Sequence, residues 1–315
     1  MRLLTELPGR PRGGKPLALA IGVFDGVHRG HQAVLKEAVR AARAKGWIAG
    51  ALAFDPAPEF ALGLRAPERL QHPQEQAESM AALGLDVFLR VPFTTALARL
   101  SARDFAETVL ARNLRCAAVV VGKGFRFGAG AKGDAASLKT FGNALGFTVA
   151  VQPPKLDHGS PVSSTRIRAA VASGRLEEAA RLLGRDWRLR GEVVTGKRLG
   201  RTLGFPTANV ESPQGVLPPR GVWAGRLKVL GRRSIQERGF VGNLGVRPTL
   251  GEGLRPTVEL HLLDFSGELV GKILDVRFIR RLRGETKFAS LDALKQGIAA
   301  DVLAARKALK TAKSA

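Results

Sequence analysis

The chain has 315 residues, 45% of them hydrophobic, enough for two domains that each bury a core. No apolar run approaches the roughly 20 residues of a membrane span, and the basic N-terminus lacks the apolar stretch of a secretory signal. Cys116 is the single cysteine, which excludes a disulfide framework and a cysteine-rich metal site, so a cytoplasmic protein with no membrane partner is expected.

The net charge of +23 raises the question of nucleic acid. Lys and Arg are scattered through periodic segments, however, and no basic tail or recognisable nucleic-acid module is present. No nucleic-acid partner is therefore expected. A basic field also suits anionic substrates.

In chain order, short apolar runs first alternate with helix-like stretches. Leu17–Val23, Trp47–Phe54, Asp86–Val91, Ala117–Val121 and Phe147–Val151 are expected as buried strands. Gly30–Lys45, Pro73–Leu83, Ala102–Asn113 and Ala135–Leu145 have helical spacing. This alternation predicts a parallel sheet covered by helices on both faces, with ligands beyond the carboxyl ends of its strands.

IGVFDGVHRGHQAVL (Ile21–Leu35) falls at one such end. Gly26 permits a tight turn, Gly30 allows close backbone approach, and a helix start favours phosphate. His28 and His31 flank Gly30, so both imidazoles can face a polyphosphate. Nucleotidyl transfer onto an anionic phosphate needs positioning and charge neutralisation more than a base. Two surface histidines at a helix start are the plainer alternative. VSSTRIR (Val162–Arg168) adds the hydroxyls of Ser163, Ser164 and Thr165 and the fork of Arg168, a phosphate-binding set. Capping of the next helix by Ser163 or Ser164 is its alternative.

After a helical stretch, Ser164–Leu183, the pattern changes. Leu189–Val194, Val222–Leu230, Gly239–Leu244, Thr257–Leu263 and Lys272–Phe278 read as short strands punctuated by Gly and Pro, a barrel or sandwich pattern. A helix over Leu291–Leu309 closes the chain, and a boundary near Gly184–Asp186 gives domains 1–185 and 186–315.

In GEVVTGKRLGRTLGFPTANV (Gly191–Val210), Gly196, Gly200 and Gly204 can wrap a phosphate chain, with charge from Lys197, Arg198 and Arg201. Alone, such a loop is equally a plain turn. PTAN (Pro206–Asn209) is more specific, because the Thr207 hydroxyl and Asn209 amide are hard oxygen ligands suited to Mg²⁺ on ATP phosphates. Glu259 alternates with Val258 and Leu260, which face the other way. Such a carboxylate is ordinarily solvated or paired, but a hydroxyl attacking phosphate must lose a proton, and a positioned base serves that step.

GVFDGVHRGH, FDPAPE (Phe54–Glu59), VGKGFRFGAGAKGD (Val121–Asp134) and VSSTRIR make residues 17–183 resemble the FMN adenylyltransferase module of bifunctional riboflavin kinase/FAD synthetases, a nucleotidyltransferase-type α/β fold. The Gly191–Val210 segment, GVWAG (Gly221–Gly225), GNLGVRPTLGEG (Gly242–Gly253), PTVELHLLDF (Pro256–Phe265) and RLRGETKF (Arg281–Phe288) make residues 186–306 resemble the riboflavin kinase domain, a small six-stranded β-barrel.

The resemblance implies ATP and riboflavin as substrates, FMN as product and then substrate, FAD as final product, and Mg²⁺ as cofactor. In the first domain it implies catalytic roles for His28 and His31, phosphate contacts from Gly22, Phe24, Gly30, Ser163, Ser164, Thr165 and Arg168, and a flavin contact from Phe125. In the second, Glu259 would be the base toward the terminal ribityl hydroxyl. Thr207 and Asn209 would hold Mg²⁺–ATP, Gly196, Lys197, Gly200 and Arg201 its phosphates, and Arg283 and Phe288 the flavin.

Several positions depart from the family pattern. Ala57 stands where histidine is usual, and Gly124 where Asp or Asn is usual; a basic residue common near Ala131 is also missing. Trp223 and Val270 replace tyrosines. Lost positioning contacts slow reactions, which opens a second reading, a kinase whose N-terminal domain no longer makes FAD.

Overall fold

The computed structural model describes residues 1–8, 14–55, 67–196, 203–212, 214–231, 235–249 and 253–311. The expected site positions Ala57, Lys197, Gly200 and Arg201, with Arg198, lie outside them. The chain divides into two compact units, Met1–Pro67 with Pro73–Ser164, and Glu68–His72 with Thr165–Ala315.

In the first unit the chain runs through β1 (Arg2–Leu4), β2 (Leu17–Ile21), α1 (Arg29–Lys45), β3 (Ile48–Phe54), α2 (Pro73–Ala82) and β4 (Val87–Val91). It continues through α3 (Thr95–Arg99), β5 (Cys116–Gly122), β6 (Arg126–Phe127), β7 (Gly133–Asp134), α4 (Ala135–Leu145), β8 (Thr148–Gln152), β9 (Leu156–Asp157) and β10 (Ser160–Pro161). Between α3 and β5, the expected helix Ala102–Asn113 is a short α-turn, Ala102–Asp104, opening into a π-helix, Phe105–Asn113. Six strands pair in parallel in the order β1-β4-β3-β2-β5-β8.

The sequence LALAI of β2 shows why helices cover both faces. Leu17, Leu19 and Ile21 join one core with Val119, Val121, Phe105 and Leu110. Ala18 and Ala20 join the other, where Ala49, Ala51 and Ala53 of β3 leave room for Leu35, Ala38 and Ala42 of α1. Alternation along a strand sorts large and small residues by face. From β2 the chain moves one way to β3 and β4, then crosses back to β5 and β8. The crevice beyond β2 and β5 is therefore a topological switch point, the usual ligand position in such sheets.

The second unit takes up α5 (Ser164–Ala172) from its second residue, α6 (Leu176–Leu183), β11 (Leu189–Val194), β12 (Ala208–Glu211), β13 (Gly221–Leu230), β14 (Ile235–Thr249), β15 (Gly253–Leu262), β16 (Ile273–Arg283) and α7 (Leu291–Thr311). Its strands form a closed antiparallel barrel, β11-β12-β15-β14-β13-β16. Inside, Phe278 meets Trp187, Trp223 and Phe240 with ring centroids 6.2, 6.0 and 5.6 Å away. Outside, Ala305, Ala308 and Leu309 of α7 cover Val222, Ala224 and Val241. Residues 68–72 belong to this unit through the Leu70 carbonyl, which accepts from Trp187 Nε1 and Gln214 Nε2, both at 2.9 Å.

The first unit also carries a charge lock. Arg43 of α1 donates to both carboxylate oxygens of Asp86, which also accepts from the Ala49 N–H of β3. The Arg43 guanidinium holds the Asp86 carboxyl below its ordinary range. A depressed folded-state pKa stabilises the fold above the ordinary carboxylate value, and that contribution fades as pH falls through the folded value. Asp86→Asn is therefore expected to lower the melting temperature at neutral pH, and to differ progressively less from the parent as thermal scans are taken toward acid.

Candidate functional site

At the carboxyl end of β2 the backbone turns sharply through Gly22–His28. Phe24, Gly26 and Val27 have φ of 54°, 83° and 39°. Gly26 adopts this region freely, whereas each non-glycine residue there costs about 1–3 kcal/mol and must be held. Phe24 and Val27 are buried in the alanine-rich core. The Gln76 amide, from α2, donates to the Val23 and Phe24 carbonyls at 3.3 and 3.1 Å. The Ser164 hydroxyl donates to the Asp25 carbonyl at 2.9 Å.

His28 caps α1. Its Nδ1 accepts from the Gly30 and His31 N–H groups at 3.1 and 3.2 Å, which puts the proton of the neutral ring on Nε2. Its ring stacks on His31 at 3.6 Å, and His31 meets Phe24 edge-on at 5.4 Å. The two imidazoles form one stacked unit on a braced turn, and His28 is buried. Gly30 serves the cap directly, since a Cβ there would lie 3.0 Å from His28 Cε1. Gly22 likewise leaves space for the Phe24 ring, so Phe24 offers a ligand its backbone only.

Beyond β5, Phe125 stacks on Phe127 at 5.4 Å, half-buried at the same sheet edge. A Cβ at Gly124 would meet nothing within 4 Å, so the fold itself has room for an Asp or Asn there. Ser163 precedes the bond made by Ser164. Thr165 and Arg168 belong to the second unit, where Thr165 is exposed and Arg168 Nε donates to the Glu68 carbonyl at 2.6 Å.

The second unit brings its expected residues together by strand register. Asn209 of β12 faces Glu259 of β15, which in turn faces Asn243 of β14. Directly opposed residues share a face. The flanking Val258 and Leu260 are buried, as the alternation predicts. Two of the cavities on this unit lie beside these residues. One, of about 280 Å³, is lined by Thr207, Asn243, Glu259, His261, Arg283 and Phe288, among others. The other, of about 430 Å³, is lined by Gly196, Thr207, Asn209, Leu262, Phe265 and Val270, among others. Thr207 is in both walls. Gly196 matters sterically, because a Cβ would collide with the Asn209 amide.

Arg283 and Phe288 both reach the first cavity, but the Arg283 fork is engaged. It donates to both Asp301 oxygens at 2.9 and 2.7 Å, and the guanidinium lies 5.5 Å from the Phe288 ring centroid. Trp223 is a core residue, its indole N–H donating to Pro219 at 2.9 Å, whereas Val270 is half-exposed in the second cavity. Asn243 and His261 lie inside GNLGVRPTLGEG and PTVELHLLDF, but only strand register brings them to the site. Gln76 and Asp301 carry no motif signal, and only tertiary proximity identifies them. Gly297 belongs with them, since a Cβ there would lie 2.5 Å from the Phe288 ring. Glycine in a helix interior is ordinarily about 1 kcal/mol worse than alanine. Gly297→Ala is nevertheless expected to lower the melting temperature, because Phe288 must shift; a rise on thermal denaturation would contradict this packing.

The family model described as FAD synthetase matches residues 12–166, and that described as riboflavin kinase matches residues 183–309. The bifunctional riboflavin kinase/FMN adenylyltransferase of Escherichia coli K12 is 39% identical over 307 residues, covering 97% of this chain and 96% of that relative. The protein of the same description from Pseudomonas fluorescens is 42% identical, covering 91% of each chain. A crystal structure described as a macrolide-efflux protein from Streptococcus pneumoniae superposes with a TM-score of 0.82 at 29% identity, covering 96% of this chain and 98% of that one.

Proposed function

We propose a division of labour between two sites in this chain, which belongs to the bifunctional riboflavin kinase/FMN adenylyltransferase family. The enzyme phosphorylates riboflavin to FMN with ATP and adenylylates FMN to FAD. The relatives that match over nearly the whole chain are bifunctional, and nothing in the comparisons favours a kinase alone. We assign the functional division to residues 1–185 and 186–315. The cytoplasm is the assigned compartment, with no membrane or nucleic-acid partner; no described helix is long and apolar enough to cross a membrane.

The kinase reaction is assigned to the barrel, and the observation that carries the assignment is Thr207 in the wall shared by two cavities. Glu259 lines one and Asn209 the other. We assign riboflavin to the cavity of Glu259 and Phe288, and ATP to that of Gly196 and Asn209, with Lys197, Gly200 and Arg201 as expected phosphate contacts. Among the described residues no group of three or more His, Cys, Asp or Glu converges on a metal position. Two neutral oxygen donors leave most of a coordination shell to phosphates and water, a pattern that fits Mg²⁺. Bound there, Mg²⁺ would neutralise charge on the phosphates.

Glu259 takes the proton of the terminal ribityl hydroxyl as that oxygen attacks the γ-phosphorus. The bond from the γ-phosphorus to the bridging oxygen breaks, and ADP leaves with its electrons. Phe288, braced by Gly297 and the Arg283–Asp301 pair, bounds the flavin.

Adenylylation is assigned to the switch point of the first unit. An FMN phosphate oxygen attacks the α-phosphorus of ATP, and pyrophosphate leaves. The nucleophile is already anionic, so the stacked His28–His31 pair and Ser163 serve to hold phosphate, with Phe125 toward the flavin. The Gly22 and Gly30 N–H groups are taken by the Leu52 carbonyl and His28 Nδ1, so these glycines contribute close backbone approach.

Glu259→Gln keeps the side-chain shape and removes the base. FMN formation is expected to fall by about 10²–10⁴-fold, while FAD formation from supplied FMN stays at the parent rate. Chromatographic separation of the flavins reads both steps. Undiminished FMN formation would contradict the role of Glu259, and absence of FMN with the parent enzyme would sink the kinase assignment.

A further inference from the structure

We infer that His261 is a positioning residue of the kinase site: through its Nδ1–H it holds the Pro206 carbonyl and so fixes Thr207 between the two cavities. The inference rests on the kinase reading above. His261 Nδ1 lies 2.9 Å from the Pro206 carbonyl oxygen. A carbonyl oxygen only accepts, so Nδ1 carries the proton. The Phe205 ring meets the imidazole edge-on at 5.6 Å, which adds a second grip on the same segment.

The register shows why the bond is needed. The ladder between β12 and β15 pairs Asn209 with Glu259 and Ala208 with Leu260, and there it ends. Thr207 is the next residue and has no ladder partner. Pro206 has no N–H with which to extend the pairing. The His261 side chain takes over where the backbone ladder stops, so Thr207 is held on one side by Ala208 and on the other by Pro206.

His261 stands two residues beyond Glu259 on the same strand face and lines the flavin cavity. One stretch of β15 therefore sets both the base and the segment that carries the phosphate-facing hydroxyl. A misplacement of about 1 Å in such a group can slow a reaction by around a hundredfold.

Three variants separate this role from a merely structural one. His261→Asn places an amide N–H near the Nδ1 position, His261→Gln places one near Nε2, and His261→Ala removes both. Hydrogen exchange of the free protein reads the peptide Phe205–Ala208 without turnover. Exchange there is expected to quicken on the order of five- to tenfold in the Gln and Ala variants, as for one lost hydrogen bond, and to stay near parent in Asn. The kcat for FMN formation is expected to fall about 10–100-fold in Gln and Ala, with the KM for riboflavin little changed and substantial rescue in Asn. FAD formation from supplied FMN should be unaffected in all three. If Asn behaves like Ala, or if every variant keeps parent exchange and kcat, the inference is overturned. If the parent protein makes no FMN, the kinase reading fails, and the exchange data still decide whether His261 holds the segment.

Discussion

The register of a closed barrel is the constraint on which the chemistry of the second unit rests. With Asn209 opposite Glu259 and Glu259 opposite Asn243, polar groups from three strands share one face. Ala208, Leu260 and Gly242 form the adjacent row and are buried on the other. A slip of one residue in any of these strands would exchange the two rows. Closure leaves no free edge along which a strand can slide. The interior resists the same slip: Phe240 occupies space that a Cβ at Gly225 would fill, and its ring packs on Phe278. The position of the Glu259 carboxylate on the outside thus follows from aromatic packing within.

The first unit reaches its site by another route. A parallel sheet offers a crevice wherever the chain reverses its direction of winding, and here that crevice lies beyond β2 and β5. The turn after β2 is strained, and burial of Phe24 and Val27 together with hydrogen bonds from Gln76 and Ser164 holds it. His28 Nδ1 is spent on capping α1, which pins the stacked His31 beside it. The ligand-facing groups are few because most of the motif is occupied in keeping its own shape.

Much of this was legible in the sequence. The apolar run Leu17–Val23 predicted a buried strand, and the recurring β-α pattern predicted the parallel sheet. Val258 and Leu260 told which way Glu259 points, since a strand has period two. Residues read wrongly or missed share physical causes. The π-helix Phe105–Asn113 has the composition of an α-helix, and only its wider hydrogen-bonding differs. The strand β12 is four residues long and overlaps PTAN, too short a run for its period to stand out, and no strand is expected there from the sequence. The three-residue edge strand β1 lies in a basic terminus without periodicity. Arg283 lines the first cavity, but its pairing with Asp301 of α7 is a tertiary contact that RLRGETKF does not carry. Gln76 and Gly297 matter through tertiary contacts that no local spacing encodes, and His261 shares a face with Glu259 by period two but meets Pro206 only in the folded barrel.

Occupation of separate cavities by nucleotide and flavin, meeting at Thr207, is tested most directly by a crystal structure of the full chain with Mg²⁺, ADP and FMN. ADP should lie along Gly196 with its β-phosphate toward Thr207 and Asn209. The flavin ring should lie beside Phe288, with the terminal ribityl oxygen within about 3.2 Å of the Glu259 carboxylate. Flavin in the cavity of Gly196 and Val270, or a Glu259 carboxylate far from the ribityl chain, would contradict the assignment.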